Sequence, residues 1–494
     1  MTQLKTLYKQ TFIYGLATVV PKMLSFLLVR LHTDKSVLEN VADYGDVSLI
    51  FAYFVLFNVL LAYGMETAFF RFFNSDQKKE TVLSTSAISL LLTSSLVLVV
   101  GYLLKQEISN LIHINADYIV LVLWVLFFDA LVIIPFAYLR ALGKPAKYTV
   151  IKLVNVALNL GLNIVLLLFL QSWAETSSFW DLFYLPNFEV HYIFIANLIA
   201  SATTLLLLIP FYFKLNYNFN AKLWRQMLRY ATPVLVAGIA FSINETFDRI
   251  LLERLLPENL SKAAIGTYSA CYKLALFMTL FATAYRLGIE PFFFSNAKDK
   301  EAKTNYAKIL ELFVIFGALI LLIVVVFIDI LKLILIPNEA YWEAMSVVPI
   351  LLLAYLFLGI YHNLSVWYKI TDRTKFGAYI SIFGAILTLV INLFFIPKFG
   401  YMASATATLA AYATMAFISY KLGQKYYKVP YNLKKIGLYL TLSIGFSILS
   451  FYIFRAQYIV GGTLILILTT VVWAKEKTDI KNLLNSNYEN QYHQ

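Results

Sequence analysis

The sequence predicts an all-α polytopic membrane protein of about 14 transmembrane helices, with two pseudo-symmetric six-helix lobes and two C-terminal helices. Three observations predict the transmembrane helices, and the internal repeat described below predicts the two lobes. Apolar stretches of about 20 residues, the length that spans a bilayer, recur from residue 11 to residue 474. Hydrophobic residues form 60% of the chain and charged residues 14%, below the roughly 25% of soluble domains. Lys and Arg are concentrated in alternate connectors.

Hydropathy gives the predicted position of each span, numbered 1 to 14 along the chain. The spans lie at about 11–32, 44–65, 82–104, 118–140, 147–170, 190–213, 230–253, 264–288, 306–328, 345–366, 375–396, 400–423, 434–454 and 457–474. The connectors between them are short, in agreement with a mean hydropathy of +0.73. Almost none of the chain is therefore expected outside the membrane.

The connectors that follow even-numbered spans, together with the two ends of the chain, hold most of the 40 basic residues. We call the membrane side that they share the basic side; its connectors include Lys78, Lys79, Arg140, Lys144, Lys147, Lys214, Lys222, Lys300, Lys303, Lys369, Arg373, Lys375, Lys421, Lys425, Lys428, Lys434 and Lys435. Cytoplasmic connectors retain Lys and Arg, so the basic side is predicted to be cytoplasmic, with both termini on it.

Several classes of function are disfavoured by the sequence. The net charge of +12 is spread over many connectors and forms no single patch, so no nucleic-acid partner is expected. The one Cys and five His show no ligand spacing, and the chain has neither a phosphate-binding GxxxxGK[ST] loop nor a nucleophile elbow. We expect no metal, no cofactor, no bound ATP and no enzymatic activity.

An internal repeat divides the chain. When the sequence is shifted against itself, Gly45 aligns with Gly266 and spans 2 and 8 superpose without a gap. A second internal match, at a slightly larger offset, aligns Asn163 with Asn392. Two six-span halves of the same orientation would enclose a central cavity that opens to either side, as in parallel-repeat transporters. Chance similarity between hydrophobic segments is the alternative.

The repeat predicts four units. Residues 1–215 would form an N-lobe of spans 1 to 6, and residues 216–428 a C-lobe of spans 7 to 12. Residues 429–475 would form an appendage of spans 13 and 14, and residues 476–494 a cytoplasmic polar tail.

Cations within the predicted spans are candidates for substrate binding. An ionisable group at mid-bilayer costs roughly 2.5 to 3.5 kcal/mol, so it usually faces a partner or a water-filled cavity. The candidates are Lys22 in span 1, Arg249 in span 7, and Lys273 and Arg286 in span 8. Lys273 lies well inside its span and is the foremost candidate, whereas snorkelling or pairing with a helix carbonyl is the alternative for Lys22.

Acidic residues in the spans are candidates for ion coupling: Glu245, Asp248, Glu66 and Glu290. Glu245 lies three residues from Asp248 and four from Arg249, so the three share one helix face. Internal pairing would make them a buried structural lock, whereas unpaired acids would bind a proton or Na⁺, and both interpretations stay open. Glu66 ends span 2, where an interfacial role is expected.

Five segments together resemble one family: Tyr44 to Leu49, Gly64 to Phe72, Asn244 to Arg249, Gly266 to Lys273, and Asn392 to Tyr401. The pattern resembles the polysaccharide-transporter family of Wzx-type lipid-linked oligosaccharide flippases, in the MOP superfamily with the MATE drug exporters and MurJ lipid II flippases. The resemblance covers nearly the whole chain, although its motifs are loose and identify the family better than the substrate.

The resemblance implies a MATE/MurJ-like fold and a flippase that moves an undecaprenyl-pyrophosphate-linked oligosaccharide across the bacterial inner membrane by alternating access. The product would serve O-antigen (lipopolysaccharide), capsule or exopolysaccharide biosynthesis, and the implied partners are membrane lipids and the pathway's glycan polymerase and glycosyltransferases. Lys22 and Lys273 match cationic positions of the MurJ-like pattern and would hold the pyrophosphate. Leu28 replaces a second cation of that pattern, which disfavours lipid II as the substrate.

Two other functions remain open. A MATE-like cation-coupled drug exporter would couple through Glu245 or Asp248, but its cavity should be more acidic than Lys22 and Lys273 suggest. A polytopic glycan polymerase or ligase would share the hydropathy, but it usually needs a sizeable outer segment, and the longest connector opposite the basic side is only about 171–189.

Overall fold

The computed structural model describes residues 19–24, 26–75, 77–295 and 299–492, without the side chains of 290–292, 294–295 and 478–492. Within these residues the chain is helical without strands, and 13 helices are long and apolar enough to cross a membrane. Residues 19–24 and 26–32 are also helical and belong to predicted span 1, whose residues 11–18 lie outside the described part. The predicted fold class is confirmed.

Each predicted span from 2 to 14 corresponds to one observed helix or to two or three consecutive helical segments. Their bounds are Val41–Phe73, Lys79–Leu103, Ala116–Ala141, Pro145–Thr176, Glu189–Phe213, Ala221–Leu255, Glu258–Ser295, Ala302–Val326, Glu339–Ile370, Lys375–Phe399, Tyr401–Tyr426, Leu433–Ile453 and Tyr458–Tyr492. We keep the names span 2 to span 14 for these segments.

Span 2 is broken near the basic side. Its first helix, Val41–Ala62, ends at Tyr63 and Gly64, both with positive φ, and a second helix, Met65–Phe73, follows at once. Gly64 has φ 72°, and a Cβ there would lie 2.6 Å from the carbonyl oxygen of Ala231 in span 7. Only glycine combines that backbone conformation with so close an approach. Hydropathy does not detect this break, because both helices are apolar.

Span 7 is longer than predicted, because it begins at Ala221 instead of about 230. Asn220 caps it by accepting a hydrogen bond from the backbone of Leu223 at 3.0 Å. The added turns are amphipathic: Leu223 and Met227 are buried against spans 2, 3 and 4, whereas Arg225 is exposed. Mean hydropathy over a window averages these two faces and therefore misses the turns.

The helices pack as two six-helix lobes with two helices added. In the first lobe span 6 packs on spans 4 and 5, and span 4 on spans 2 and 3; in the second, span 12 packs on spans 10 and 11. Spans 7 and 8 pack along span 2 and join the lobes. Spans 13 and 14 pack on span 9. The unit boundaries at 215, 428 and 475 stay predictions.

The two glycines paired by the internal repeat contact each other where spans 2 and 8 cross. A Cβ on Gly45 would lie 3.3 Å from the backbone nitrogen of Gly266, and a Cβ on Gly266 would lie 3.2 Å from that of Gly45. Gly45 also abuts the carbonyl of Lys262, and Gly266 that of Val41, and the same shift of the sequence aligns Val41 with Lys262. Equivalent backbone positions of the lobes therefore meet around one pseudo-two-fold axis.

The second internal match, between Asn163 and Asn392, also has a structural counterpart. Asn163 donates a hydrogen bond to the carbonyl of Asn159 at 2.8 Å, and Asn392 donates one to the carbonyl of Thr388 at 2.8 Å. Each amide oxygen then bonds to a different span: Asn163 contacts His32 of span 1, and Asn392 accepts from Ser404 of span 12, both at 2.8 Å. Both asparagines therefore fasten one helix to a neighbour in their own lobe.

The lobes are joined by polar contacts on the side opposite the basic side. Lys262 forms an ion pair with Asp46 at 2.9 Å, and Glu253 contacts His113 at 2.9 Å. Together with the glycine contact, the first of these pairs holds the ends of spans 2 and 8 together, and the second joins span 7 to the connector between spans 3 and 4. The space between the lobes is therefore narrowed on that side.

Candidate functional site

A cavity of about 440 Å³ lies between the lobes, next to the glycine contact. Spans 1, 2, 5 and 6 form one wall, and spans 7 and 8 form the other. On span 2 its lining extends from Tyr44 to Val55, which is the half of the span farther from the basic side. The cavity has the size expected of a small-molecule or headgroup site.

The wall formed by spans 7 and 8 is cationic. Lys273 and Arg249 both line the cavity and are close enough to interact electrostatically. Among the described side chains, Lys273 makes no hydrogen bond and no ion pair, although His32 lies within its electrostatic range. A half-buried ammonium group without an anionic partner among the described side chains is a ready site for an anion.

Arg249 is held by its own helix and by two aromatic rings. Its guanidinium forms an ion pair with Asp248 at 2.8 Å and donates to the carbonyl of Glu245 at 3.1 Å. The same group lies 4.1 Å from the ring centroid of Tyr272 and 5.5 Å from that of Tyr268. Tyr268 donates a hydrogen bond to Asp248 at 2.7 Å, so Asp248 is internally paired and does not line the cavity.

Glu245 is on the same helix but has different partners. Its carboxylate accepts hydrogen bonds from the hydroxyl of Tyr412 and, at 3.3 Å, from that of Tyr355. It lines the cavity and lies within electrostatic range of Arg249 and Lys22. Two acids one turn apart thus have separate environments, since Asp248 is bound to a cation and Glu245 to neutral hydroxyls.

Lys22 and Arg286 form a second cationic group, nearer the basic side. Lys22 donates a hydrogen bond to Thr283 at 3.2 Å, and Arg286 lies one turn beyond Thr283 within electrostatic range of Lys22. Neither residue lines the cavity. Thr283 is ten residues from Lys273 on span 8, a separation of roughly 15 Å along the helix at about 1.5 Å per residue.

The remaining predicted residues are not brought to the cavity. Glu66 forms an ion pair with Arg140 of span 4, whose guanidinium also lies 4.9 Å from the ring centroid of Phe70. This pair is at the basic ends of spans 2 and 4. The side chain of Glu290 lies outside the described residues.

Sequence reasoning missed the polar wall on the opposite side of the cavity. Asn155 and Asn159 of span 5 and Asn197 of span 6 line it, and His32 is held there by Asn163. Asparagine at positions 155, 159 and 163 forms a stripe at a spacing of four residues on an otherwise apolar helix, and this signal was available. The tyrosines around Glu245 and Arg249 could not be singled out, because the chain has 34 tyrosines.

The arrangement suits an anionic group with polar neutral groups attached. Lys273 and Arg249 supply donors with positive charge on one wall, and the amides opposite supply both donors and acceptors. In the part of the chain that the structure describes, no group of three or more His, Cys, Asp or Glu residues is placed to hold a metal ion.

Comparisons with protein families agree with this arrangement. A family described as polysaccharide biosynthesis protein matches residues 7–285, and the MatE family matches residues 233–394. A search of curated proteins found no match.

Solved structures similar to this chain include a flippase and two transporters. The lipid II flippase MurJ in an inward closed conformation is 15% identical and has a TM-score of 0.74, covering 94% of this chain and 99% of its own. An inward-facing multidrug resistance MATE family transporter of the MOP superfamily is 11% identical, with a TM-score of 0.64 and coverages of 86% and 99%. A MOP superfamily transporter from Pyrococcus furiosus is 14% identical, with a TM-score of 0.59 and coverages of 84% and 95%. At these identities the likeness shows the fold.

Proposed function

Because this chain belongs to the polysaccharide biosynthesis protein family of MOP superfamily exporters, we propose that it is an undecaprenyl-pyrophosphate-linked oligosaccharide flippase. It would move the lipid-linked unit from the cytoplasmic to the outer leaflet of the bacterial inner membrane, with the basic side and both termini in the cytoplasm. The units would serve O-antigen, capsule or exopolysaccharide synthesis. Glycosyltransferases would supply them and a polymerase would consume them, whereas this chain itself would catalyse no reaction.

The observation that carries this proposal is Lys273, a cation in the central cavity without an anionic partner among the described side chains. A diphosphate that leaves water needs charged donors to replace its hydration, and Lys273 with Arg249 supplies them. Arg249 alone is less suitable, because Asp248 already neutralises it. A cation exporter would gain nothing from an uncompensated ammonium group at this position.

The opposite wall fits the glycan end of such a substrate. Amide side chains both donate and accept hydrogen bonds, as sugar hydroxyls do. Asn159 and Asn197 face the cavity from the first lobe, so a diphosphate on Lys273 would place its first sugar between the two walls. The polyprenyl tail would stay in lipid.

The spacing of the cations supports two successive sites. Thr283, the hydrogen-bond partner of Lys22, lies ten residues from Lys273 along span 8, which is roughly 15 Å at about 1.5 Å per residue, so Lys22 and Arg286 lie nearer the basic side than Lys273 does. Substrate from the cytoplasmic leaflet would first meet Lys22 and Arg286 and then pass to Lys273 and Arg249. Rocking of the lobes would then open the glycine contact and release it outside.

Ion coupling is assigned to Glu245 within this proposal. Its carboxylate is bonded to hydroxyl groups and lines the cavity, so it is available to bind a proton or Na⁺, whereas Asp248 is occupied by Arg249. The same carboxylate supports the second candidate, a MATE-like drug exporter, together with the MatE family match over residues 233–394. The two candidates differ in substrate charge.

Transport in oriented proteoliposomes tests the proposal. We expect uptake of a radiolabelled undecaprenyl-pyrophosphate oligosaccharide by the native chain and its loss in Lys273→Ala. Loss of one charge-assisted hydrogen bond of about 1.5–3 kcal/mol corresponds to roughly 10- to 150-fold weaker binding. The control combines Lys152→Ala with Asp129→Asn, because Lys152 is an intramembrane lysine that lies within electrostatic range of Asp129 and 4.6 Å from the Phe136 ring centroid, and it does not line the cavity.

Two results would overturn the proposal. Equal loss of uptake in the Asp129→Asn and Lys152→Ala control and in Lys273→Ala would mean that removal of an intramembrane lysine impairs the fold and that Lys273 has no special role in binding. Absence of native uptake with several glycans, combined with exchange of cationic drugs, would favour the MATE-like exporter.

A further inference from the structure

A second cavity, of about 250 Å³, lies in the first lobe at the basic ends of spans 3 to 6. It is separate from the central cavity and shares no lining residue with it. Its walls are largely apolar and include Leu83, Pro135, Leu139, Leu208 and Phe211. Three lysines, Lys144, Lys147 and Lys214, complete the lining.

The three lysines have no anionic partner in the part of the chain that the structure describes. All are exposed, and none forms an ion pair or a side-chain hydrogen bond among the described residues. The lining contains no acidic residue. By contrast, Arg140 on the same side of the membrane is paired with Glu66. The cavity therefore combines three uncompensated positive charges with an apolar wall.

The position of the lysines matches the boundary of the membrane. Lys144 precedes span 5, which starts at Pro145, and Lys214 follows span 6, which ends at Phe213. Lys147 is in the first turn of span 5, where the backbone N–H groups have no partner within the helix and the helix dipole is positive. An anionic headgroup would meet the lysines there, while hydrocarbon could fill the apolar side.

We infer that this cavity binds an anionic glycerophospholipid of the bilayer, with its phosphate among Lys144, Lys147 and Lys214 and an acyl chain against the apolar wall. Basic pockets between transmembrane helices hold anionic headgroups by the same combination of charge and burial. The lipid joins the ends of spans 3, 4, 5 and 6, which belong to a single lobe. This site does not depend on what the central cavity transports.

Lipid titration of the purified full chain in detergent, followed by native mass spectrometry, tests the site with phosphatidylglycerol and phosphatidylcholine as probes. We expect one phosphatidylglycerol to bind more tightly than phosphatidylcholine. In the triple variant Lys144→Gln, Lys147→Gln and Lys214→Gln its affinity should fall at least tenfold, since one lysine near an anionic lipid is worth a factor of about five.

The matched control removes the same charge elsewhere on the basic side. Lys375, Lys428 and Lys434 are exposed and make no ion pair among the described residues, so their triple change to Gln should leave the tight phosphatidylglycerol in place. A second variant, Leu207→Trp, keeps all three lysines and fills the apolar wall from an exposed position. It should also lose the bound lipid.

Three outcomes would overturn the inference. Unchanged phosphatidylglycerol affinity in the triple pocket variant would remove the site. An equal loss in the control triple would mean diffuse attraction to the basic side. Tighter binding of a polyprenyl diphosphate than of phosphatidylglycerol at these lysines would assign the cavity to the transported substrate.

Discussion

Replacing Gly45 with alanine should force the lobes apart on the side opposite the basic side. A Cβ on Gly45 would overlap the carbonyl oxygen of Lys262 and lie 2.8 Å from its carbonyl carbon, whereas ordinary van der Waals contact is 3.4–4 Å. That carbon belongs to the backbone of span 8, so the clash is relieved only if spans 2 and 8 separate by more than about half an ångström. Overpacking of this kind costs about 1–3 kcal/mol. The closed arrangement would lose a factor of roughly 5 to 150 against an opened one.

Cysteine labelling from outside measures this shift. Asn197→Cys places a reporter in the central cavity, and Cys271→Ala removes the buried cysteine, which is the one cysteine of the chain. A membrane-impermeant maleimide added on the side opposite the basic side should label the reporter roughly 5- to 150-fold faster in Gly45→Ala. The labelling rate follows the open population as long as that population is small.

The control is Gly161→Ala in span 5, where a Cβ would have no neighbour within 4 Å. Both substitutions raise helix propensity similarly, so a difference between them reports the contact between the lobes. Gly266→Ala should repeat the effect of Gly45→Ala, because the internal repeat makes the two glycines equivalent. Equal labelling of the Gly45 and Gly161 variants, with both proteins monodisperse, would refute the reasoning.

Two further predictions concern stability and coupling. Tyr412→Phe removes a hydroxyl that donates to Glu245, so we expect a lower melting temperature and an altered dependence of transport on proton or Na⁺ gradients; an unchanged melting curve and gradient dependence would contradict this. Asp329, between spans 9 and 10, accepts two hydrogen bonds from Arg455 at 3.1 Å. Partial burial acts to raise the pKa of Asp329, but the hydrogen bonds and charges of Arg455 and Lys332 outweigh it, so this pKa is lowered from its ordinary value. A lowered folded-state pKa stabilises the protein above the ordinary carboxyl pKa of about 3.9, and this contribution is lost as the pH falls through the folded value. Asp329→Asn should therefore melt earlier than the native chain at pH 7, and the difference should shrink below about pH 4.

The fold was predictable because the membrane leaves few alternatives. Every backbone polar group in the hydrocarbon must be bonded within the protein, so an apolar stretch of about 20 residues becomes a helix. The predicted and observed helix bounds differ where apolar and charged side chains alternate. An example is the start of span 7, where Leu223 is buried and Arg225 is exposed. The break at Gly64 depends on the approach of Ala231, a contact between distant segments that hydropathy does not contain.

The site was predictable only in part. The cost of a charge inside the membrane singles out Lys273 and Arg249, and both line the cavity. From sequence spacing alone, either Glu245 or Asp248 could pair with Arg249. In the structure Arg249 forms an ion pair with Asp248, whereas Glu245 accepts hydrogen bonds from Tyr355 and Tyr412. Those tyrosines come from spans 10 and 12, so only the packing of the second lobe brings them together.

The repeat explains how a symmetric backbone holds an asymmetric site. Spans 2 and 8 line the central cavity with positions that the repeat makes equivalent, and the pairs are Ser48 and Ser269, Phe51 and Tyr272, Ala52 and Lys273, and Val55 and Leu276. Three of these pairs are similar in size or polarity. The fourth places the cation on one lobe and a methyl group on the other, so among the cavity-lining positions shared by spans 2 and 8 the charge depends on a single unequal pair.

Exchanging that pair separates the charge of the cavity from its position. The double variant Ala52→Lys and Lys273→Ala returns an ammonium group to the same height of the cavity but on the opposite wall. If charge at that height is what binds a diphosphate, affinity for undecaprenyl pyrophosphate should recover most of the loss seen in Lys273→Ala. If Lys273 and Arg249 must act together from one wall, the double variant should bind no better than Lys273→Ala. In that second case the position of the ammonium group beside Arg249 matters as much for binding as its charge. The difference in affinity between the double variant and Lys273→Ala therefore measures the coupling between Lys273 and Arg249.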